Sequence, residues 1–297
     1  MRIKESAGDR AFKIANSLFF IILTLICLLP LVNVLAVSFS SSTAASAGIV
    51  TLWPVQFTTK SYQYALNKPE FIRSFAISVV RTVLGVGLSM ILAILSAYPL
   101  SKDKKAFHAR GPYIWFFFIT MVFSGGLIPW YMTIQTLGLG NTLWALILPT
   151  AVPVFYILLL MNFYRGLPAE LEESAFIDGA GTWQVLWKIV VPLSKPALAT
   201  IALFCAVVHW NSWFDGLVLM SDPKNYPLQS YLQTVVVARD MSLFQHASKE
   251  QLEMLQSISD RTTKAAQIFI ATLPILCAYP FLQRYFIKGM TLGAVKG

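Results

Sequence analysis

Long uninterrupted apolar runs alternate with shorter polar stretches along this chain, and the lengths of the runs set its architecture. Runs at about residues 12–37, 75–100, 112–134, 142–163, 196–220 and 266–287 each reach roughly 20 residues, the length a helix needs to cross a hydrocarbon layer about 30 Å thick. In lipid, every backbone polar group must be bonded within its own structure, and closed barrels would show alternating strands of about ten residues instead. The pattern therefore predicts an all-α integral membrane protein with six transmembrane helices, organised as one domain over residues 1–297. Arg2, Lys4, Arg10 and Lys13 precede the apolar stretch that begins at Ile14, and Ala45-Ser46-Ala47 has the small-residue character of a cleavage site. The apolar stretch 14–37 is longer than the roughly 7–15 residues of a signal core, so a retained first span is expected.

Composition agrees with that pattern. Of 297 residues, 56% are hydrophobic and only 12% charged, against roughly 25% charged in soluble domains, and the mean hydropathy is +0.63. The net charge of +9 is dispersed between apolar spans and forms no single basic stripe with interleaved aromatics, which argues against nucleic acid. It fits topology better. With the N-terminus inside, fourteen of the 23 basic residues fall on inner segments: Arg2, Lys4, Arg10, Lys13, Lys102, Lys104, Lys105, Arg110, Arg165, Lys188, Lys195, Arg284, Lys288 and Lys296. The expected orientation is N-in, C-in. Cys27, Cys205 and Cys277 lie inside apolar runs without metal-ligand spacing, so they read as packing residues.

Two predicted outer segments are long enough for structure of their own. Residues 38–74 carry Trp53 and Pro54, and residues 221–264 contain Ser248-Lys249-Glu250-Gln251, a capping-box pattern that could open a short helix showing Leu252, Leu255 and Ser259 on one face. Such a helix would cover the bundle or dock an external partner.

The densest acidic cluster lies mid-chain: Glu170, Glu172, Glu173 and Asp178 fall within nine positions. Pro168 suits the first position of a helix, and the three glutamates complement the positive end of the helix dipole. Gly179 and Gly181 end that helix. A second helix then places Trp183, Leu186, Trp187 and Val190 on one apolar stripe, with Pro192 and Pro196 leading into the fifth span. Such a hairpin either lies in the membrane interface or fits a groove on a partner protein, and its acidic first helix suits an anionic inner leaflet poorly.

At the level of motif, this stretch resembles the coupling loop of binding-protein-dependent ABC importer permeases, whose pattern is Glu-Ala-Ala, three residues, Gly, nine residues, Ile, one residue, Leu-Pro. Glu173-Ser174-Ala175, Gly179, Ile189 and Val191-Pro192 fall on that spacing, with Ser174 and Val191 departing from it. Ile177-Asp178-Gly179-Ala180, Pro192-Leu193-Ser194-Lys195-Pro196, Ser124-Gly125-Gly126-Leu127-Ile128-Pro129, Leu137-Gly138-Leu139-Gly140-Asn141-Thr142, Trp210-Asn211-Ser212-Trp213-Phe214 and the terminal Gly293-Ala294-Val295-Lys296-Gly297 are similar to the oligosaccharide-importing branch of the maltose-system type. Alginate importers carry a permease of this kind, which raises a uronate oligosaccharide as substrate.

The resemblance implies a cytoplasmic coupling helix between spans four and five, within a loop at 164–195. Glu172, Glu173, Ser174, Ala175, Asp178, Gly179, Ile189 and Pro192 would be its ATPase-coupling residues, and the tail 288–297 would be an interaction strand. No phosphate-cradling G-x-x-x-x-G-K-[ST] sequence occurs, so no cofactor is expected on this chain, no catalytic residue and no metal; ATP and magnesium would sit on the partner ATPase. The implied partners are a second, homologous permease, two cytoplasmic ATP-binding subunits, an extracytoplasmic solute-binding protein, the oligosaccharide and the lipid bilayer. The implied location is the bacterial cytoplasmic (inner) membrane.

Sugars are held by aromatic faces and hydrogen-bonding side chains, so polar and aromatic residues inside spans are the candidates for the path. The fifth span supplies Trp210, Asn211, Trp213 and Asp215, with Asn211 and Asp215 one helical turn apart, and the second supplies Arg81, a charge that needs a partner such as Asp215 or an acidic sugar. Alternatively Asn211 and Asp215 bond neighbouring helices, and the tryptophans form an interfacial belt. Trp130, Tyr131 and Tyr156 are further aromatic candidates. The competing function is an ion-coupled secondary transporter of a small polar solute, for which Asp215 alone approaches an ion-binding carboxylate. A membrane enzyme would need clustered catalytic groups, whereas His108, His209 and His246 lie in three different segments.

Overall fold

The computed structural model of the chain describes residues 7–237 and 260–294, and the described residues form helices, turns and irregular connections without a strand. The expected cap at Ser248, with Leu252, Leu255 and Ser259, lies outside them. Among the described residues, two helices are long and apolar enough to cross a membrane, and three further pairs qualify if each bent pair counts as one span. The first is Ala7–Ser38, 32 residues, about 48 Å at the usual rise and longer than the hydrocarbon layer. Residues 8–31 are exposed throughout, as a helix facing lipid or another subunit would be. The second, Pro69–Ser101, holds Arg81 near its middle.

The runs expected at 112–134, 142–163 and 196–220 are each interrupted. Arg110–Val122 and Leu127–Thr136 meet at a bend of 112°, where Gly126 adopts φ +87 and Pro129 is the third residue of the following helix. A glycine takes that positive φ without steric penalty, so Ser124-Gly125-Gly126 encodes the break locally. Leu143–Thr150 and Val154–Arg165 meet at 46°, with Pro149 and Pro153 at the junction. The Lys195–Asn211 helix stops after Asn211 and resumes at Phe214–Leu219. Residues 266–287 lie within one 35-residue helix, Asp260–Ala294, so the expected interaction strand at 288–297 is helical over its described part.

The chain divides into two compact units. In the unit of residues 1–69 with 235–272, the end of the first helix packs Ala36 and Val37 against Ala44, Ala45, Val50 and Ala265. Arg261 donates from Nη1 to the Ala45 carbonyl at 3.1 Å, Asn33 donates to the Thr51 carbonyl at 2.6 Å, and Phe39 stacks on Phe57 with centroids 5.3 Å apart.

In the unit of residues 70–234 with 273–297, one core joins Ala93, Ala97 and Tyr98 of the second long helix to Ile157, Leu160 and Tyr164, to Ala175, Val185, Leu186 and Val190 of the mid-chain hairpin, and to Ile201 and Cys205. The hairpin is thus built onto the bundle through its small and branched aliphatic side. At the other end of this unit, Asn141 at φ +57 accepts through Oδ1 from the Asp222 amide at 3.2 Å and from Asn225 Nδ2 at 3.1 Å. Asparagine tolerates this left-handed conformation because its short amide can bond nearby backbone.

Candidate functional site

The mid-chain hairpin is an eight-residue helix, Glu170–Ile177, followed by a second helical stretch over Thr182–Leu193. Ala169 caps the first helix and Pro168 lies one residue before the cap, so proline shapes the entry without occupying the first turn. The three glutamates all stand in that turn, where the helix dipole favours negative charge. At the far end the Gly179 amide donates to the Phe176 carbonyl at 3.1 Å and the Ala180 amide to the Ala175 carbonyl at 2.9 Å. With Gly179 at φ +83, this is the paired six-to-one and five-to-two bonding of a Schellman cap.

The second helix departs from the expected stripe. Thr182–Val185 is α-helical, Leu186–Val190 forms a π turn and Val191–Leu193 returns to α. A π turn carries extra residues relative to the regular helical face. Val185, Leu186 and Val190 are accordingly buried, while Trp183 and Trp187 face outward at 65% and 44% exposure. Ile177, at the tip beside Gly179, is 86% exposed. Of the expected coupling residues, Ala175 is buried in the core and Ile189 packs against it; Glu173, Ser174, Asp178, Gly179 and Pro192 are exposed. Glu172 forms an ion pair with Lys102, just beyond the Pro69–Ser101 helix, and the Lys102 ammonium stands 4.0 Å over the Tyr98 ring. The hairpin therefore presents exposed carboxylates beside exposed Ile177, Trp183 and Trp187, and apolar surface of that kind calls for a partner.

A second arrangement surrounds Arg81, which is 1% exposed. Its guanidinium is paired with the Asp215 carboxylate, and Nη1 also donates to the Ser212 carbonyl at 3.3 Å. Asp215 Oδ1 accepts from Ser212 Oγ at 2.8 Å and from the Gly216 amide at 2.9 Å. Ser230 Oγ donates to the Trp213 carbonyl at 2.7 Å. The Arg81 bond takes up the Ser212 carbonyl, whose helical partner, the Gly216 amide, is bonded instead to Asp215 Oδ1, so the helix can break at Ser212 without a proline. Asn211 and Asp215 consequently do not share a helical face, contrary to the expectation from spacing.

A cavity of about 630 Å³ is lined by Ser212, Phe214 and Asp215 together with Ser124, Gly125, Gly126, Trp130, Thr133 and Thr150. Three helix interruptions converge here: 123–126, 148–153 and 212–213. The wall offers two aromatic rings, four hydroxyls and one carboxylate, a set able to bind a polyhydroxylated ring. Arg81 stands behind the carboxylate and does not line the cavity. Trp210 is buried with its ring edge-on to Phe75 at 5.7 Å, Asn211 is exposed at the helix end, and Trp213 meets Phe214 edge-on at 5.7 Å; none of these three lines the cavity. Ser124, Thr133, Thr150 and Phe214 were not among the candidates from sequence, although Ser-Gly-Gly before Leu-Ile-Pro is a legible signal of a helix break.

Long apolar helices, discontinuous at a polar cavity and joined by an outward-facing hairpin, define a membrane transport component. The chain belongs to the family described as binding-protein-dependent transport system inner membrane component, which residues 106–292 match. It is 39% identical over 295 residues to Protein LplC of Bacillus subtilis (strain 168), covering 99% of this chain and 97% of that one. It is 37% identical to the polygalacturonan/rhamnogalacturonan transport system permease protein YtcP of the same organism, over 97% and 99% of the two chains. Its fold resembles a chain in the crystal structure of a bacterial ABC transporter involved in the import of the acidic polysaccharide alginate, with a TM-score of 0.86, 34% identity and coverage of 96% and 99%.

Proposed function

We propose that this chain is the transmembrane permease subunit of an ATP-driven importer of oligosaccharides or polysaccharide fragments, with uronate oligosaccharides as the favoured substrate class. The observation that carries the reading is the hairpin: a Schellman-capped acidic helix whose inner side is built into the bundle core and whose tip exposes Ile177 and Trp183. A rigid element anchored on one side and unsatisfied on the other is suited to moving with a partner. The partner is a cytoplasmic ATPase, two copies of which hold the ATP and magnesium, and the hairpin passes their closure to the spans as a rigid-body tilt. Glu172, Glu173, Ser174, Ala175, Asp178, Gly179, Ile189 and Pro192 form or support this contact.

The six spans run N-in, C-in in the bacterial inner membrane, with Arg110–Val122 and Leu127–Thr136 crossing as one span and Leu143–Thr150 and Val154–Arg165 as another. A second permease completes the path, and an extracytoplasmic binding protein delivers the sugar. The cavity bounded by Trp130, Thr133, Ser212, Phe214 and Asp215 is the part of the path that this chain supplies. Support for uronates comes from two similar proteins, one named for polygalacturonan/rhamnogalacturonan transport and one from an importer of the acidic polysaccharide alginate.

Co-purification from the native host, with subunits identified by mass and ATPase activity assayed, tests the reading. Wild type should bring down an ATPase and a second permease, and Gly179→Asp should lose the ATPase. A chain that purifies alone and transports without ATP overturns it. Uptake into proteoliposomes of galacturonate oligomers against neutral oligosaccharides of equal length tests the substrate class, and a preference for the neutral ones removes the uronate assignment.

A further inference from the structure

A separate pocket of about 380 Å³ lies at the start of the Arg110–Val122 helix, lined by Lys104, His108, Arg110, Ile114 and Trp115 among others. Its charge is one-sided. Lys104 and His108 are exposed, and neither has an ion-pair partner among the described residues. Arg110 is tied by Nε to the Leu100 carbonyl at 2.9 Å, which fixes the guanidinium at the pocket while leaving its terminal nitrogens available. Ala109, the residue before the helix, supplies no capping side chain, so the positive end of the helix dipole adds to the field there.

The same helix continues away from the pocket as an apolar face. No residue of Arg110–Val122 is buried, and Trp115, Phe116, Ile119 and Val122 are 64%, 61%, 57% and 68% exposed. A basic pocket that opens directly onto an unpartnered apolar helix face matches a ligand that is anionic at one end and hydrocarbon at the other. A tryptophan at the junction matches the preference of that ring for the headgroup level. We infer that the pocket of Lys104, His108 and Arg110 holds the phosphate headgroup of an anionic phospholipid whose acyl chains lie along the Arg110–Val122 helix. Basic pockets between membrane helices recognise anionic headgroups by this chemistry, and the apolar face distinguishes a lipid from free phosphate. The inference rests on the proposed function only in taking this helix as part of a membrane span.

Native mass spectrometry of the purified assembly, titrated with phosphatidylglycerol or phosphatidylcholine in detergent, tests it. Wild type should retain phosphatidylglycerol in preference to phosphatidylcholine, and Lys104→Gln should lower phosphatidylglycerol retention about fivefold, the factor that one basic residue near an anionic surface represents. The exposed Lys224→Gln, outside the pocket, should leave retention unchanged, and excess inorganic phosphate should not displace the lipid. Equal retention of the two lipids by wild type, no effect of Lys104→Gln, an equal effect of Lys224→Gln, or displacement by inorganic phosphate would each overturn the inference. The same spectra report whether an ATPase accompanies the chain, so failure of the functional reading and failure of the lipid site are seen separately.

Discussion

Arg81 and Asp215, separated by 134 positions in sequence, close a buried ion pair that fastens the second long helix to the break after Asn211. Removing either partner strands a charge in a site where Arg81 is 1% exposed, and breaking a buried pair from one side costs about 3–5 kcal/mol. Arg81→Gln and Asp215→Asn should each lower the unfolding temperature of the detergent-purified protein strongly. The double variant, which leaves no uncompensated charge, should be more stable than either single one; a double variant as unstable as the sum of the two would refute the pairing.

Helix contact near that pair depends on the absence of one carbon atom. A Cβ on Gly85 would stand 2.5 Å from His209 Nε2 and 2.6 Å from its Cε1, well inside van der Waals contact, and His209 is itself buried. Overpacking of this kind typically costs about 1–3 kcal/mol. Gly85→Ala should therefore destabilise the protein, and adding His209→Ala should recover part of the loss. Thermal unfolding of the two variants in the same detergent decides it.

Much of this arrangement was legible in the sequence, for reasons that differ between elements. The long helices followed from apolar run length, and Arg81 announced its need for a partner because a charge inside an apolar run requires one. The hairpin was legible because its glycines and glutamates act locally. The break at Ser212 was not, since the carbonyl freed there is bonded by Arg81 from a distant part of the chain. The π turn at Leu186–Val190 was hidden for the same reason: only packing shows that Val185 replaces Trp183 and Trp187 in the core. The cavity, formed where three breaks meet, inherits that invisibility.

Gly179 allows conformational and steric effects to be separated. Its φ is +83, yet a Cβ added there would meet nothing within 4 Å, so any penalty comes from the backbone. Alanine should lose stability by about 1 kcal/mol, and asparagine, which visits this region more readily, should lose less. If ATPase recruitment in co-purification falls in the order Gly, Asn, Ala, the turn geometry governs docking. Equal recruitment by all three would show that the turn does not.

Lys102 and Glu172 tie the hairpin mechanically to the second long helix. Their ion pair joins the acidic helix of the hairpin to the end of the Pro69–Ser101 helix, with side chains 24% and 20% exposed, and Arg81 lies on the same long helix. At the usual rise, the roughly twenty positions from Arg81 to Ser101 correspond to about 30 Å, so one helix runs from beside Lys102 to the residue that holds Asp215 at the cavity. A partly exposed pair contributes little to stability, about 0–1 kcal/mol, so Lys102→Ala and Glu172→Ala should unfold near the wild-type temperature. Both should nevertheless lower sugar uptake per ATP hydrolysed in reconstituted vesicles, because the hairpin can then move without the helix. Exchanging the charges, with Lys102→Glu and Glu172→Lys together, should restore part of the coupling. Unchanged uptake per ATP in the single variants would show that movement of the hairpin reaches the spans through the Ala175, Val185 and Val190 core alone.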